Sequence, residues 1–188
     1  TYTVTEPATA GYDANLSNCA GIVLTNGATK TCAITNSDLP VTMTVTKNVI
    51  NDTGGTKTAD AFEFSVDGNE AITFNQDGSD PLTGTNVIEG LSAGNHTVVE
   101  TADDGYATSY SDGCSTEGAQ NGANLTCTIT NNDRAATLIV EKVVVNDNRG
   151  AKTAKDFSFS VNEGEAAAFE ADGINELSVR AGTYTVTE

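Results

Sequence analysis

Apolar and polar residues alternate with a period of two along most of this chain. The alternation is plainest in the segments VTMTVTK, FEFSV, HTVVE, LTCTITN, LIVEKVVV, FSFSV and TYTVTE. It predicts half-buried β-strands, and threonine, which favours strands, fills many of the outward positions. Turn sequences such as NDTGG, QDGSD and DDGY separate the segments. Because no long stretch has a helical period, we predict an all-β fold made of β-sandwiches.

The alternating pattern also repeats along the chain. VTMTVTKNVINDTGGTKTADAFEFSVDG at 41–68 recurs at 136–163, TCAITNSD at 31–38 recurs at 126–133 as TCTITNND, and TYTVTE occurs at 1–6 and again at 183–188. We therefore predict one complete repeat at 39–134, the second half of a repeat at 1–38, and the first half of the next at 135–188. An insertion near 79–86 is absent from the later copy, and we expect it to be a loop. Since the chain begins and ends at the same point of the repeat, we expect it to belong to a longer protein.

The overall charge excludes several classes of function. Nine Lys and Arg residues stand against 26 Asp and Glu residues, for a formal net charge of −17. No basic surface is available to neutralise phosphates, so nucleic-acid binding is excluded and binding to an anionic membrane is disfavoured. No apolar run approaches the roughly 20 residues that cross a bilayer, so we expect no membrane insertion in this segment. A hydrolase is excluded as well, because no nucleophile and base share a loop constellation.

Three polar residue types fall on the inward faces of the predicted strands. The alternation in VTMTVTK carries a lysine onto the apolar face, that in TYTVTE a glutamate, and that in TCTITN an asparagine. These residues are Lys47 and Lys142; Glu6, Glu100 and Glu188; and Asn36 and Asn131. Because burying such groups separately is unfavourable, we expect those of one repeat to meet.

A lysine, a glutamate and an asparagine that meet in an apolar core can exchange an amide. Burial favours the neutral amine of a lysine, which can act as a nucleophile, and the neutral acid of a glutamate, which can polarise a carbonyl and carry protons. The amine attacks the asparagine side chain, ammonia leaves, and a Lys–Asn isopeptide bond remains. The alternative is a buried, hydrogen-bonded salt-bridge cluster with no covalent bond.

The segment YTVTEPATAGY at 2–12 resembles the signature Y-x-hydrophobic-x-E-x-x-A-P-x-G-Y of collagen-adhesin B-type repeats, also called SpaA-like or prealbumin-like pilin domains. HTVVETADDGY at 96–106 is a looser match, with His96 in place of tyrosine. The resemblance implies tandem prealbumin-like, Ig-like sandwiches, in which the first strand supplies the lysine, the signature strand the catalytic glutamate and the last strand the asparagine. Those roles fall on Lys47, Glu100 and Asn131. Lys142 and Glu188 match the following repeat, and Glu6 and Asn36 the preceding one.

The four cysteines occur as one pair in each repeat, at equal spacing. Cys19 and Cys32 form the first pair, and Cys114 and Cys127 the second. A zinc site would need CxxC pairs or several histidines, and the chain has one histidine, so we predict a disulfide within each pair and no metal. Each disulfide closes a short loop, which is worth about 3 kcal/mol in the chain-entropy model. Disulfides indicate an oxidising, extracellular location at the cell surface.

These features favour a structural protein: a repeat from a surface filament, pilus shaft or adhesin stalk, stiffened by disulfides and by Lys–Asn bonds. Its partners would be neighbouring copies of the repeat, and the incomplete halves are complementary, so that Lys142 would face Asn36 across a boundary. The alternative is an adhesive module that binds carbohydrate or a host protein through the inserted segment 79–86. No cofactor is expected, although the Asp-rich turns could bind calcium.

Overall fold

The alternating segments form sixteen strands in the computed structural model, which describes residues 1–188. The strands are β1 (Tyr12–Asn15), β2 (Thr35–Asp38), β3 (Val41–Ile50), β4 (Glu63–Val66), β5 (Ile72–Thr73), β6 (Gln76–Asp77), β7 (Asp80–Leu91), β8 (Gly94–Glu100), β9 (Tyr106–Tyr110), β10 (Ser115–Ala119), β11 (Asn124–Asp133), β12 (Ala136–Glu141), β13 (Ser158–Val161), β14 (Ala167–Ala168), β15 (Ile174–Val179) and β16 (Val186–Thr187). The only helices are single 3-10 turns at Ala59–Ala61, Asp112–Cys114 and Ala154–Asp156. None of these is long and apolar enough to cross a membrane. The all-β fold class is confirmed.

The residues group into two compact units. One unit contains Thr1–Val49, Thr58–Ala102 and Thr108–Asn131, and the other contains Ile50–Lys57, Asp103–Ala107 and Asn132–Glu188. The repeat boundaries at 38/39 and 134/135 come from the sequence pattern and stay a prediction.

Two sheets form the body of the 39–134 repeat. A five-stranded sheet has the order β6-β7-β3-β11-β9, and a four-stranded sheet has the order β10-β8-β4-β5. β3 and β11 are therefore neighbours, although they are the first and last strands of the repeat. This adjacency brings residues from the two ends of the repeat into one part of the core.

The core lies between the inward faces of these sheets. Every second residue of β3 is buried, as the alternation predicts. Val41, Met43 and Val45 of β3 are fully buried, and the rings of Phe64 and Phe74 lie 4.5 Å apart on the facing side. A fully buried side chain of this size contributes about 1.5–3 kcal/mol through the hydrophobic effect. The alternating pattern thus determines which face of each strand is buried, and burial of that face restricts the register in which the strands pair.

The segment at 79–86 is a strand and not the loop that the sequence comparison suggested. β7 begins at Asp80 and pairs with β3, with Asn86 opposite Val45 and Gly84 opposite Lys47. The proline of this segment stands second in the strand, near its end, where a missing N–H is tolerated. The insertion therefore forms part of the five-stranded sheet.

The flanking half-repeats form smaller sheets of the same kind. β1 pairs with β2, β12 pairs with β15, and β13 lies between β14 and β16. Leu138 and Val140 of β12 are partly exposed, whereas the corresponding Met43 and Val45 of β3 are fully buried. The same sequence pattern thus builds the same strands here around a smaller core.

Candidate functional site

A lysine lies at the centre of the apolar core of the 39–134 repeat. The alternation in β3 places Lys47 on the same face as Val45 and Val49, and the whole residue is inaccessible to solvent. Its Nζ lies 4.2 Å from the ring centroid of Phe62 and 5.5 Å from that of Phe74. These ring faces surround the cation and exclude water from it.

A glutamate at the end of β8 is the lysine's ion-pair partner. Glu100 lies opposite Phe64 in the neighbouring strand β4, so its side chain points into the same core. Its Oε2 accepts a hydrogen bond from Lys47 Nζ, and both side chains are fully buried. Its backbone N–H donates to the hydroxyl of Tyr110 at 3.0 Å. The pair is therefore held inside a nonpolar environment with no access to water.

An asparagine from β11 completes the cluster. Asn131 is fully buried, and its Nδ2 donates to Oε1 of Glu100 at 2.6 Å. The carbonyl oxygen of this amide, Oδ1, is buried and has no hydrogen-bond partner. A buried acceptor without a donor is unfavourable by about 1–3 kcal/mol and calls for a functional explanation. The three residues that the sequence pattern assigned to one repeat thus lie together in the structure.

The sequence reasoning missed a fourth polar contact of this cluster. The hydroxyl of Thr108, on β9, donates to Oε1 of Glu100 at 3.3 Å. The alternation in YATSY places Thr108 on the same face as Tyr106, which is buried, and this signal could have identified it. Glu100 is therefore in contact with β3, β9 and β11 through side-chain hydrogen bonds.

The incomplete repeats each hold two of the three groups. In the first, Asn36 Nδ2 donates to Glu6 Oε1 at 2.8 Å, and Glu6 Oε2 is buried with no partner. In the last, Lys142 Nζ donates to both carboxylate oxygens of Glu188 at 2.7 Å and lies 4.1 Å from the Phe157 centroid. These arrangements reproduce the two halves of the Lys47 cluster.

Both cysteine pairs are bonded within their own repeats. Cys19 is joined to Cys32 and Cys114 to Cys127, and no cysteine is free. The second bond ties β11, the strand of Asn131, to the short 3-10 turn that precedes β10. No group of three His, Cys, Asp or Glu side chains is close enough to hold a metal ion. Calcium binding at the Asp-rich turns stays a prediction.

A carboxylate at the end of β11 organises the loop that follows β3. Asp133 accepts backbone N–H bonds from Asp52, Thr53 and Gly55, at 2.6–3.0 Å. The Asn51 side chain in this loop accepts a hydrogen bond from the Tyr106 hydroxyl at 2.7 Å. Burial opposes the ionisation of Asp133, but the N–H donors outweigh it and lower its pKa to about 2.

We expect the Asp133 contacts to fail in acid. Because its folded pKa lies below the ordinary value of 3.8, the carboxylate stabilises the fold above pH 3.8, and this contribution disappears as the pH falls towards about 2. Asp133→Asn should lower the thermal midpoint at neutral pH and remove the part of the acid dependence due to this group. Calorimetry across this range tests it, with exposed Asp38→Asn as the matched control. Parallel acid profiles for Asp133→Asn and the wild type would contradict it.

Both ring nitrogens of the single histidine have hydrogen-bond partners. His96 Nδ1 lies 2.7 Å from Asp67 Oδ2, and Nε2 lies 2.8 Å from the Ser92 carbonyl, so both ring nitrogens face acceptors. The hydrogen bond to Asp67 raises the pKa of His96 against the opposing effect of burial. In the next repeat Tyr184 stands at the position of His96, and its hydroxyl donates to the Arg180 carbonyl at 2.7 Å. Asn162 stands there at the position of Asp67.

We expect the stabilising effect of the His96–Asp67 pair to weaken as the pH rises. Because the folded pKa of His96 is raised above 6.5, the charged pair is fully stabilising below pH 6.5 and is lost as the pH rises through the folded value. The double variant His96→Tyr, Asp67→Asn has the two neutral residues that the next repeat has at these positions. Its stability should no longer depend on pH through this pair. Thermal midpoints measured on both sides of neutrality decide the matter, and equal slopes for the two proteins would refute the prediction.

The sheets, the repeats and the buried polar cluster define a class of protein, namely all-β sandwich domains arranged in tandem. A family model described as "Prealbumin-like fold domain" matches residues 38–130 and 133–188. The chain therefore belongs to the family of prealbumin-like fold domains, as the sequence resemblance predicted.

Two solved structures are similar to this chain. The Bacillus anthracis TIE protein matches with 20% identity and a TM-score of 0.41, over 80% of this chain and 28% of that one. Two B repeat units of the collagen binding protein of Staphylococcus aureus match with 20% identity and a TM-score of 0.32, over 100% of this chain and 52% of that one. This chain thus spans less than two thirds of either protein structure. No curated protein sequence matches it.

Proposed function

We propose that this chain is part of an extracellular surface filament, pilus shaft or adhesin stalk, and that its complete repeat is sealed by an amide bond between Lys47 and Asn131. The observation that carries the proposal is the buried contact of Lys47, Glu100 and Asn131 in one water-free cluster. A salt bridge between Lys47 and Glu100 alone would not require a buried asparagine beside it whose carbonyl oxygen is unpaired. The chain acts on itself in this reaction and on no external substrate.

The reaction begins with a proton transfer inside the ion pair. A buried ion pair in nonpolar surroundings is disfavoured by desolvation, and transfer of the proton from Lys47 Nζ to Glu100 leaves two neutral groups. The amine then has a free electron pair and can attack the side-chain carbonyl carbon of Asn131. Lys47 thereby becomes a nucleophile without any change in the chain's conformation.

The protonated Glu100 then serves as the acid catalyst. A half-turn of the Asn131 amide about χ2 exchanges Nδ2 and Oδ1, which brings the unpaired oxygen to the carboxyl group of Glu100. The acid donates a hydrogen bond to this oxygen as negative charge develops on it. When the tetrahedral intermediate collapses, Glu100 passes its proton to Nδ2 and takes one from Nζ, the bond from the side-chain carbon to Nδ2 breaks, and ammonia leaves. The Nζ–C amide bond remains, and Glu100 ends as the neutral acid.

The partners that we propose are neighbouring copies of the same repeat. Lys142 and Glu188 lack an asparagine, and Glu6 and Asn36 lack a lysine, so each cluster needs a strand from an adjoining repeat. The surface location rests on the two disulfides, which persist in oxidising compartments. The strand conformation of 80–91 supports a structural role over a binding role, because it removes the loop that a ligand site would need.

Intact mass after full denaturation tests the proposal. If the bond forms, the chain, once corrected for its two disulfides, is lighter than its sequence by one ammonia, and a peptide map contains a branched peptide that joins Lys47 to Asn131. A chain with the uncorrected mass would leave only a buried salt-bridge cluster.

A further inference from the structure

Strand β9 contacts Glu100 at two points, and neither point is explained by core packing alone. The hydroxyl of Thr108 donates to the carboxylate at 3.3 Å, and the hydroxyl of Tyr110 accepts the backbone N–H of the same residue at 3.0 Å. Thr108 is partly buried, and Tyr110 is 45% exposed. One strand therefore supports both the side chain and the backbone of the residue that moves the protons.

We propose that Thr108 is a positioning residue for amide-bond formation, which holds the Glu100 carboxylate with Oε2 towards Lys47 and Oε1 towards Asn131. This inference rests on the proposed crosslink. The two oxygens have different tasks, since one receives the proton from the amine and the other faces the amide. If the carboxylate rotated freely, neither oxygen would stay beside its own partner. Oε1 accepts hydrogen bonds from Asn131, which reacts, and from the Thr108 hydroxyl, which does not.

The preceding repeat offers an internal comparison. Aligned on Gly11-Tyr12 and Gly105-Tyr106, the sequences place Ala14 where Thr108 stands and Leu16 where Tyr110 stands. Ala14 lies directly opposite Asn36 in the sheet and lines a cavity of about 210 Å³ beside Glu6. Glu6 therefore receives no hydroxyl from this strand. We infer that repeats differ in the rate at which their bond closes, and that the residue at this position sets the rate.

The chemistry sets the expected effect. The hydrogen bond from Thr108 helps to hold the reacting carboxyl group, so its loss should slow closure by about tenfold or more. Thr108→Val keeps the shape and removes the hydroxyl, whereas Thr108→Ser keeps the hydroxyl and removes the methyl group. The two variants separate positioning from packing, because the valine variant loses the donor and keeps the shape, whereas the serine variant keeps the donor and loses packing.

The experiment follows ammonia loss with time in the full chain. Wild type and Thr108→Ser should be fully closed when they are purified, while Thr108→Val should contain unreacted chain that closes slowly on incubation. Circular dichroism and intact disulfides establish that each variant is folded. If Thr108→Val closes as fast as the wild type, or if Thr108→Ser is as slow as the valine variant, the positioning role is wrong and the crosslink stands. If the wild type itself never loses ammonia, the proposed function fails, and the positioning role with it.

Discussion

A chain with Glu100→Gln is expected to keep the mass calculated from its sequence, apart from its disulfides, while the wild type loses one ammonia. Glutamine matches the shape of glutamate but cannot take the proton from Lys47, so the amine stays protonated and cannot attack Asn131. The ring that the bond closes spans residues 47 to 131, and by analogy with a disulfide loop its absence should lower the free energy of unfolding by about 4–5 kcal/mol. Intact mass and denaturant unfolding measure the two effects.

The matched control is Glu63→Gln on the adjacent strand β4. Glu63 is exposed, and its side chain accepts a 3.3 Å hydrogen bond from the Thr73 hydroxyl, so the same change of charge there should leave the loss of ammonia intact. A surface change of this kind usually alters stability by no more than about 0.5 kcal/mol. Loss of ammonia from the Glu100→Gln variant would show that the glutamate does not carry the proton.

The second expected result is mechanical. When the chain is stretched by its ends, tension enters the 39–134 repeat at β3 and leaves it at β11, and these strands are neighbours. An amide between Lys47 and Asn131 carries the load past the hydrogen bonds between the strands, so the segment from 47 to 131 should not lengthen. In the Glu100→Gln variant the same segment should unfold and release roughly 280 Å of chain, less the roughly 40 Å closed by the Cys114–Cys127 bond.

Single-molecule stretching measures this length directly. The wild type should lack the unfolding step that the variant has, and adding a reductant to the variant should lengthen that step, because the disulfide loop then opens as well. Equal step lengths in wild type and variant would mean that the covalent tie is absent or lies elsewhere.

Much of the fold and of the site follows from the period-two pattern. In β3 and β11 the alternation runs unbroken through Lys47 and Asn131, so their inward direction could be predicted as firmly as that of Val45 or Ile129. The pairing of the cysteines followed from their equal spacing in two repeats. A short-range pattern suffices here because a strand fixes the side of each residue independently of its partners.

Other features depend on which strands become neighbours, and a single sequence carries little information on that. Thr108 contacts Glu100 only because β9 lies beside β11 in the sheet. The sequence comparison predicts an inserted loop at 79–86 because the shorter copy lacks this segment, and only the pairing of β7 with β3 makes it part of a strand. Likewise, Asp133 accepts hydrogen bonds from three backbone N–H groups of a loop that is far away in sequence.

If the proposed bond forms, the location of Lys47, Glu100 and Asn131 on three different strands makes its closure depend on correct folding. A shift of one residue in the register of β3 or β11 would turn Lys47 or Asn131 to the opposite face of the sheet, and the amine could no longer reach the amide. Closure would therefore occur only in a repeat whose first, middle and last strands are all correctly aligned. Since the proposed reaction expels ammonia and needs no energy source outside the molecule, the bond would form irreversibly once folding is complete. A misaligned repeat would stay open.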